Sequence, residues 1–291
     1  MTNQQEERLI AITSSVLLIA SCSDWTKVES VGIKETMPWE NNPAEWSGYQ
    51  ARVRDYKNRP HKLTYIRFEN SPEGVQNEKG SLRSLPDSLD MVSLTNGENF
   101  SKYDEEDMAR MKAVNIKVLY QIDLVKSENA GNAIDKAVST VSKHSLDGFS
   151  FTASTSESAS AAIGRLSAAK AENQMLVFEG NPELLSKEDI DKIDLFVLST
   201  ETIETDFDLR NFLSDVLETG VPRDKMLLSV SKEGAFRNPE NVELPVLDAM
   251  ADNVINYGPM AGLAVYDIES DYYHYDMNWS ALRSIIHRLN P

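Results

Sequence analysis

Short apolar runs recur along most of this chain, and helical patterns separate them. The runs are Leu63–Phe68, Met91–Leu94, Lys117–Ile122, Gly148–Phe151, Met175–Phe178, Leu195–Leu198, Met226–Val230 and Gly262–Tyr266. A (β/α)8 barrel needs eight parallel strands, each followed by a helix, and the runs supply about that number. The sequence therefore predicts an α/β protein with a single (β/α)8 TIM barrel over residues 43–291.

The segments between the runs have the periodicity of amphipathic helices. The predicted helices cover 104–114, 130–143, 156–173, 206–218, 247–257 and 279–289. The first begins with Asp104-Glu105-Glu106, and acids suit the positive end of a helix. No break in composition follows about residue 60, so we expect one domain.

Composition excludes several classes of protein. The chain has 291 residues and 41% hydrophobic content, enough for one large barrel. Its formal net charge is −17, whereas a nucleic-acid-binding protein needs a basic face. A single cysteine rules out an intramolecular disulfide and a multi-thiolate zinc site, and the four histidines lack metal-ligand spacing. We therefore expect no metal, no cofactor and no nucleic-acid partner.

The N-terminus resembles a bacterial lipoprotein signal. The apolar run Leu9–Ser21 is too short to span a bilayer but has the length of a signal-peptide core. It ends in Ile19-Ala20-Ser21-Cys22, which resembles a lipobox in which cleavage precedes a cysteine that becomes diacylated. The alternative is a buried helix with an incidental cysteine.

These features predict a signal peptide over 1–21, lipidation at Cys22 and a tether over 22–42. The protein would then be anchored to the membrane by acyl chains attached to Cys22. The expected location is the outer membrane, at the cell surface, with its periplasmic face as the alternative.

One run carries a recognisable motif. It reads Leu146-Asp147-Gly148-Phe149-Ser150-Phe151-Thr152-Ala153-Ser154. It resembles the signature of glycoside hydrolase family 18, the chitinases and endo-β-N-acetylglucosaminidases, whose fourth barrel strand reads Asp-Gly-apolar-Asp-apolar-Asp-any-Glu. Asp147 and Gly148 match that pattern. Ser150, Thr152 and Ser154 stand at the other three acidic positions, and Ser154 replaces the catalytic glutamate.

The resemblance extends over most of the chain from about Trp46 to Pro291. It is carried by Tyr56-Lys57 with His61, by Leu85-Pro86-Asp87-Ser88-Leu89-Asp90, by Tyr266-Asp267-Ile268-Glu269-Ser270-Asp271-Tyr272 and by Leu289-Asn290-Pro291. The chain looks similar to the Bacteroides branch of the family, which includes lipoprotein endo-β-N-acetylglucosaminidases. The resemblance implies a barrel that handles glycans containing N-acetylglucosamine.

The missing acids bear on the chemistry that the resemblance implies. In that family the substrate's own N-acetyl group attacks the anomeric carbon while a carboxylic acid protonates the leaving oxygen. The hydroxyl of Ser154 is a poor acid near neutral pH, and positioned acid catalysis contributes about 10²–10⁴ in rate. Thr152 carries no charge to stabilise the developing cation. We therefore expect no catalytic residue and no ordinary family 18 turnover.

Another acid could substitute. Glu157, Glu179 and Glu269 follow predicted strands, and barrel active sites lie at the carboxyl ends of the strands. Glu179 ends the run Leu176-Val177-Phe178, so its carboxylate could enter the cleft and bind sugar hydroxyls, or it could be a solvated loop acid.

Polar and aromatic side chains at the strand ends are candidates for glycan binding, because aromatic rings stack on sugars and polar groups bind their hydroxyls. The predicted binding residues are Asn96, Glu179, Thr200, Tyr266, Glu269, Tyr272 and Tyr273. Of the neighbouring aromatics, Trp279 is expected in the core.

The leading functional hypothesis is a non-catalytic, glycan-binding surface lipoprotein of a Bacteroidetes-type envelope. It would capture N-acetylglucosamine-containing glycans and pass them to a neighbouring enzyme or an outer-membrane importer. The first alternative is an active endo-β-N-acetylglucosaminidase that uses Glu179 or Glu157. The second is an envelope scaffold subunit with a large apolar patch and no sugar affinity.

Overall fold

A computed structural model describes residues 41–70 and 78–291. The predicted signal peptide, Cys22 and all but the last two residues of the predicted tether lie outside the described residues. The chain divides into two units, Met1–Ser47 and Gly48–Pro291, and the barrel lies in the second.

Eight parallel strands close into a barrel in that unit. They are β1 (Leu63–Phe68), β2 (Met91–Leu94), β3 (Lys117–Asp123), β4 (Gly148–Thr152), β5 (Met175–Gly180), β6 (Leu195–Leu198), β7 (Met226–Ser231) and β10 (Gly262–Tyr266). They follow one another in chain order, and β10 pairs with β1 from Leu63↔Gly262 to Ile66↔Val265. A small antiparallel hairpin, β8 (Phe236–Arg237) with β9 (Glu243–Leu244), follows β7. The predicted single (β/α)8 barrel is confirmed.

The helices are α1 (Pro43–Lys57), α2 (Lys102–Ala113), α3 (Ala130–His144), α4 (Ser156–Ala169), α5 (Lys187–Ile190), α6 (Asp206–Glu218), α7 (Val246–Asn256) and α8 (Ser280–Leu289). Two of the predicted helices differ from prediction by two or more residues at one end, for local reasons. α2 begins two residues early because Ser101 and Asp104 form a reciprocal capping box. α4 ends at Ala169 because the backbone turns back, with the Ala171 amide donating to the Gln174 side chain at 2.8 Å.

Strand alternation produces two apolar layers. Phe149 and Phe151 point outward into the large cluster between strands and helices, which also holds the buried Trp279 as predicted. A smaller cluster with Tyr65 and Tyr266 among its members fills the barrel interior. Ser150 and Thr152 alternate with the two phenylalanines and therefore belong to the interior face.

Three aspartates that directly precede β2, β4 and β6 make the same contact. Asp90, Asp147 and Asp194 each accept a hydrogen bond from the second backbone amide of the preceding odd-numbered strand, at 2.8, 3.0 and 2.8 Å. Each also binds a basic side chain, as Asp147 binds Lys117 at 3.1 Å. The matching aspartate of the motif thus lies at the amino end of the barrel and ties two strands together.

Within the part of the chain that the structure describes, no helix combines the length and the apolar character needed to cross a bilayer.

Gly148 is the glycine of the motif, and its backbone requires the absence of a side chain. Its φ is +138°, and a Cβ there would lie 2.0 Å from the carbonyl oxygen of Met175. We expect Gly148→Ala to lower the free energy of unfolding by about 3 kcal/mol. Gly164, inside α4 with open space around it, is the matched control, and Gly164→Ala should raise stability by about 0.5–1 kcal/mol. Urea denaturation measures both, and similar effects of the two changes would contradict this account.

Candidate functional site

The carboxyl ends of the strands surround the barrel mouth, where (β/α)8 proteins carry their sites. Glu179 lies there, near the end of β5, and is 3% exposed. Its Oε1 accepts a hydrogen bond from the Tyr65 hydroxyl at 2.7 Å. Its Oε2 accepts from Arg67 Nε at 2.7 Å and from the Tyr266 hydroxyl at 2.8 Å. A carboxylate from β5 is therefore held by three donors from β1 and β10.

Arg67 completes this arrangement. Its guanidinium carbon lies 3.9 Å from the centroid of the Tyr266 ring, within range of a cation–π contact. Burial works to lower the pKa of Arg67, but the charge and hydrogen bond of Glu179 outweigh it and leave that pKa above its ordinary value. Burial, followed by the Glu179 charge, raises the pKa of Tyr65 and of Tyr266 well above 10.0. Both phenols therefore stay neutral near pH 7 and act as donors.

Ser150, Thr152 and Ser154 stand where the family 18 signature has acids, and their hydroxyls lie in different surroundings. Ser150 is buried, with its Oγ 2.6 Å from the Oγ of Ser93. Thr152 donates from Oγ1 to Asp123 Oδ1 at 2.9 Å. Ser154 is exposed just beyond the end of β4. The only titratable partner among these contacts is Asp123, on the neighbouring strand.

Hydrogen bonds hold Asp123 in its ionised form. Burial alone would raise the pKa of this carboxyl, but hydrogen bonds from Thr152 and from the Lys126 backbone, with the Lys126 charge, bring the pKa below its ordinary value. The backbone amides of Val125 and Lys126 donate to Asp123 Oδ1 at 3.1 and 3.2 Å.

Two of the predicted glycan-binding residues meet in the mouth, namely Glu179 and Tyr266. Thr200 lies beyond β6 and is buried, with its Oγ1 donating to the Ser229 carbonyl at 2.6 Å and accepting from the Ser229 amide at 2.8 Å. Asn96, beyond β2, donates from Nδ2 to the Asn70 carbonyl at 3.1 Å. The polar groups of these two side chains are thus engaged within the protein.

The remaining candidates follow β10. Glu269 is half-buried in a short 3-10 segment. Tyr272 is buried, and its ring centroid lies 5.4 Å from that of Trp279 in an edge-on contact. Tyr273 is 67% exposed, and its ring packs edge-on against Tyr272 at 4.8 Å. Of these three, Tyr273 offers an aromatic surface to solvent. The roles in glycan binding stay predictions.

Arg67 and Tyr65 were missed by sequence reasoning, although a signal was present. In β1 the two residues alternate with apolar Ile66 and Phe68, so they share one face. A charged residue on the interior face of an apolar strand requires a partner of opposite charge. That requirement points to Glu179, which ends another apolar strand.

No group of three or more histidine, cysteine, aspartate or glutamate side chains that could hold a metal ion occurs among residues 41–70 and 78–291.

The chain forms a (β/α)8 barrel, and its fourth strand carries the motif that resembles the family 18 signature. Residues 26–155 match the model described as glycoside hydrolase family 18, BT1044-like. The predicted resemblance to family 18 is confirmed by this match. No curated protein matches the chain.

Solved structures share the fold. A selenomethionine form of BT1044 with a glutamate-to-glutamine substitution is 21% identical, with 88% of this chain and 96% of that chain covered and a TM-score of 0.68. A chitinase from Bacteroides thetaiotaomicron is 10% identical, with coverage of 79% and 97% and a TM-score of 0.60. A fungal endo-β-N-acetylglucosaminidase of family 18 is 10% identical, with coverage of 79% and 98% and a TM-score of 0.54.

Removing the charge of Glu179 should destabilise the barrel. Glu179→Gln leaves the Arg67 charge without its partner. It also replaces one carboxylate oxygen, an acceptor, by an NH2 group that faces another donor. We therefore expect a loss of about 2–3 kcal/mol in the free energy of unfolding. The expected loss is below that of a fully buried pair because the Arg67 side chain is 30% exposed. The control is Glu172→Gln, an exposed site outside helices and strands, which should stay within about 0.5 kcal/mol of the wild type. Chemical denaturation decides, and equal stabilities of the two variants would refute a stabilising role for Glu179.

Proposed function

We propose that this protein binds glycans containing N-acetylglucosamine at its barrel mouth and does not cleave them. The observation that carries the proposal is Ser154, an exposed hydroxyl at the position of the family's catalytic glutamate. Family 18 matches this chain over the segment that contains the position, and structures sharing its fold are named chitinase and endo-β-N-acetylglucosaminidase. Those names suggest the class of sugar.

The hydroxyls of the motif supply no catalytic acid. A general acid must hold a proton that it can release near the operating pH, and a serine or threonine hydroxyl does not. Thr152 donates its hydrogen to Asp123, and Ser150 shares a hydrogen bond with Ser93. Neither provides the negative charge that would stabilise a cationic transition state.

The nearby glutamates fit substitute catalysis poorly. Glu179 accepts three hydrogen bonds from two tyrosines and Arg67 and donates none in this arrangement. A substrate oxygen could reach this carboxylate only by displacing one of these three donors. Glu157 is exposed to solvent in the first turn of α4 and makes none of the contacts that hold Glu179 at the barrel mouth.

We further propose that lipid attached to Cys22 anchors the protein in an outer membrane, facing the cell surface, where it passes captured glycans to an importer or a neighbouring enzyme. The support is the sequence Ile19-Ala20-Ser21-Cys22 after an apolar run. Cys22→Ser should move the protein from the membrane fraction to the soluble fraction of its native host and abolish incorporation of a radiolabelled fatty acid. Unchanged fractionation and labelling would remove the anchor from the proposal.

Binding and turnover can be measured on one sample. Mature protein is incubated with high-mannose and complex N-glycopeptides, chitooligosaccharides and mucin glycans, with calorimetry for affinity and mass spectrometry for products. We expect saturable binding without any cleaved product, and the same behaviour in Ser154→Ala and Glu157→Gln.

Two outcomes would overturn the proposal. Cleavage that disappears in Glu157→Gln or Glu179→Gln would make the protein an active endo-β-N-acetylglucosaminidase, provided that the variant remains folded by circular dichroism. Absence of both binding and cleavage would favour a scaffold subunit.

A further inference from the structure

A polar groove lies beside the barrel mouth, between the carboxyl ends of β2 and β3 and the start of α3. Its volume is about 320 Å³, and its lining includes Thr95, Gln121, Asp123, Ser127 and Asn132. Ligand pockets in proteins span about 300–1,000 Å³, so this groove suits a small ligand of about one ring.

Several groups in the groove have hydrogen-bonding capacity to spare. The Gln121 and Asn132 amides and the Ser127 hydroxyl make no side-chain hydrogen bond to any residue that the structure describes. Each amide offers two donor hydrogens and an acceptor oxygen, and the hydroxyl offers both functions. A ligand with many hydroxyls could engage all three side chains, whereas an apolar ligand would leave them unsatisfied.

The charged residues that line the groove are Asp123, Glu98 and Lys136. The Asp123 carboxylate lies 3.4 Å from Lys126 Nζ, and Glu98 lies 3.0 Å from Lys136 Nζ. Lys126 is not part of the lining, so the acids of the groove outnumber its single lysine and a carboxylated ligand gains no net attraction there. Asp123 Oδ2 retains acceptor capacity, while Oδ1 is fixed by the Thr152 hydroxyl and two backbone amides.

The groove lies next to the motif in the order of the strands. Gln121 is opposite Ser150 in the β3–β4 register, and Asp123 is opposite Thr152. Two of the replaced acidic positions of the motif therefore lie beside residues that also line the groove. A glycan seated at the motif could place an adjacent residue in the groove.

We propose that this groove is a subsite for one uncharged sugar ring of the bound glycan, held by Gln121, Asp123 and Asn132. The subsite deepens the proposed function and rests on it. It would make the protein selective for glycans whose neighbouring residue is a neutral hexose or N-acetylhexosamine, and it would disfavour a carboxylated sugar beside Asp123 and Glu98.

Side-chain variants test the subsite in the full-length mature protein. Asn132 is exposed on α3, and its side chain makes no hydrogen bond to the described residues, so Asn132→Ala should fold normally. We expect Asn132→Ala and Gln121→Ala each to weaken binding of the tightest N-glycopeptide by about tenfold, equivalent to ~1.4 kcal/mol. The matched control is Asn211→Ala, at an exposed position of α6. This helix follows β6, whereas the groove lies between β2 and β3, so the control variant should bind the glycopeptide like the wild type.

A second readout uses simple sugars and no variant. The probes are the methyl glycosides of mannose, galactose and N-acetylglucosamine, with N-acetylneuraminic acid as the charged comparison. In NMR spectra, at least one neutral glycoside should shift the side-chain amide signals of Gln121 and Asn132, and N-acetylneuraminic acid should leave them in place.

The outcomes separate this proposal from the one on which it rests. If the wild type binds N-glycopeptides but Asn132→Ala and Gln121→Ala bind as tightly as Asn211→Ala, the subsite is wrong and glycan binding stands. If the wild type binds none of the glycans, both proposals fail. Stronger shifts with N-acetylneuraminic acid than with neutral glycosides would overturn the selectivity for uncharged sugars.

Discussion

The barrel mouth depends on one buried carboxylate. Taking an ion out of water costs several kcal/mol unless other groups replace its hydration. Glu179 meets this requirement with an arginine and two tyrosines, all donated by β1 and β10. Those are the first and last strands of the barrel, and their pairing closes it. The ion pair therefore links the closure of the sheet to a strand on the far side, and the same contacts occupy polar groups that an enzyme could have used on a substrate.

This arrangement leaves the unengaged polar groups of the mouth at its rim. At the centre, donors and acceptors satisfy one another, and Thr200 beyond β6 is likewise buried and bonded to Ser229. Beside β3, by contrast, amide and hydroxyl groups face a groove without protein partners among the described residues. Recognition of a hydroxyl-rich molecule needs such unpaired groups, because a side chain already engaged must break a bond before it can form a new one. The centre of the mouth and the groove beside β3 therefore differ in whether their polar side chains already have hydrogen-bond partners within the protein.

The fold was largely predictable because its signals are local. Each of the eight apolar runs became a strand, and the differences were one or two residues at strand ends such as Asp123 and Thr152. The start of α2 depended on a cap formed by Ser101, which a pattern of apolar residues does not contain. The centre of the mouth was harder to predict. The sequence left Glu179 as either a cleft carboxylate or a solvated loop acid. Its partner Arg67 lies 112 positions away, and the contact exists only once the barrel has closed.

Asp147 shows that one residue of a motif can have a purely structural role. In this chain it repeats, before β4, the contact that Asp90 makes before β2 and Asp194 before β6. The contact at the amino end of the barrel is thus enough to explain why an aspartate stands here, and this explanation does not depend on the residues at the carboxyl end of the strand. The residues at the two ends of such a strand have separate roles, so a different side chain at the carboxyl end leaves the contact of the aspartate at the amino end unchanged. An aspartate followed by glycine at the start of this strand is consequently a marker of the fold, and it says little about the chemistry at the barrel mouth.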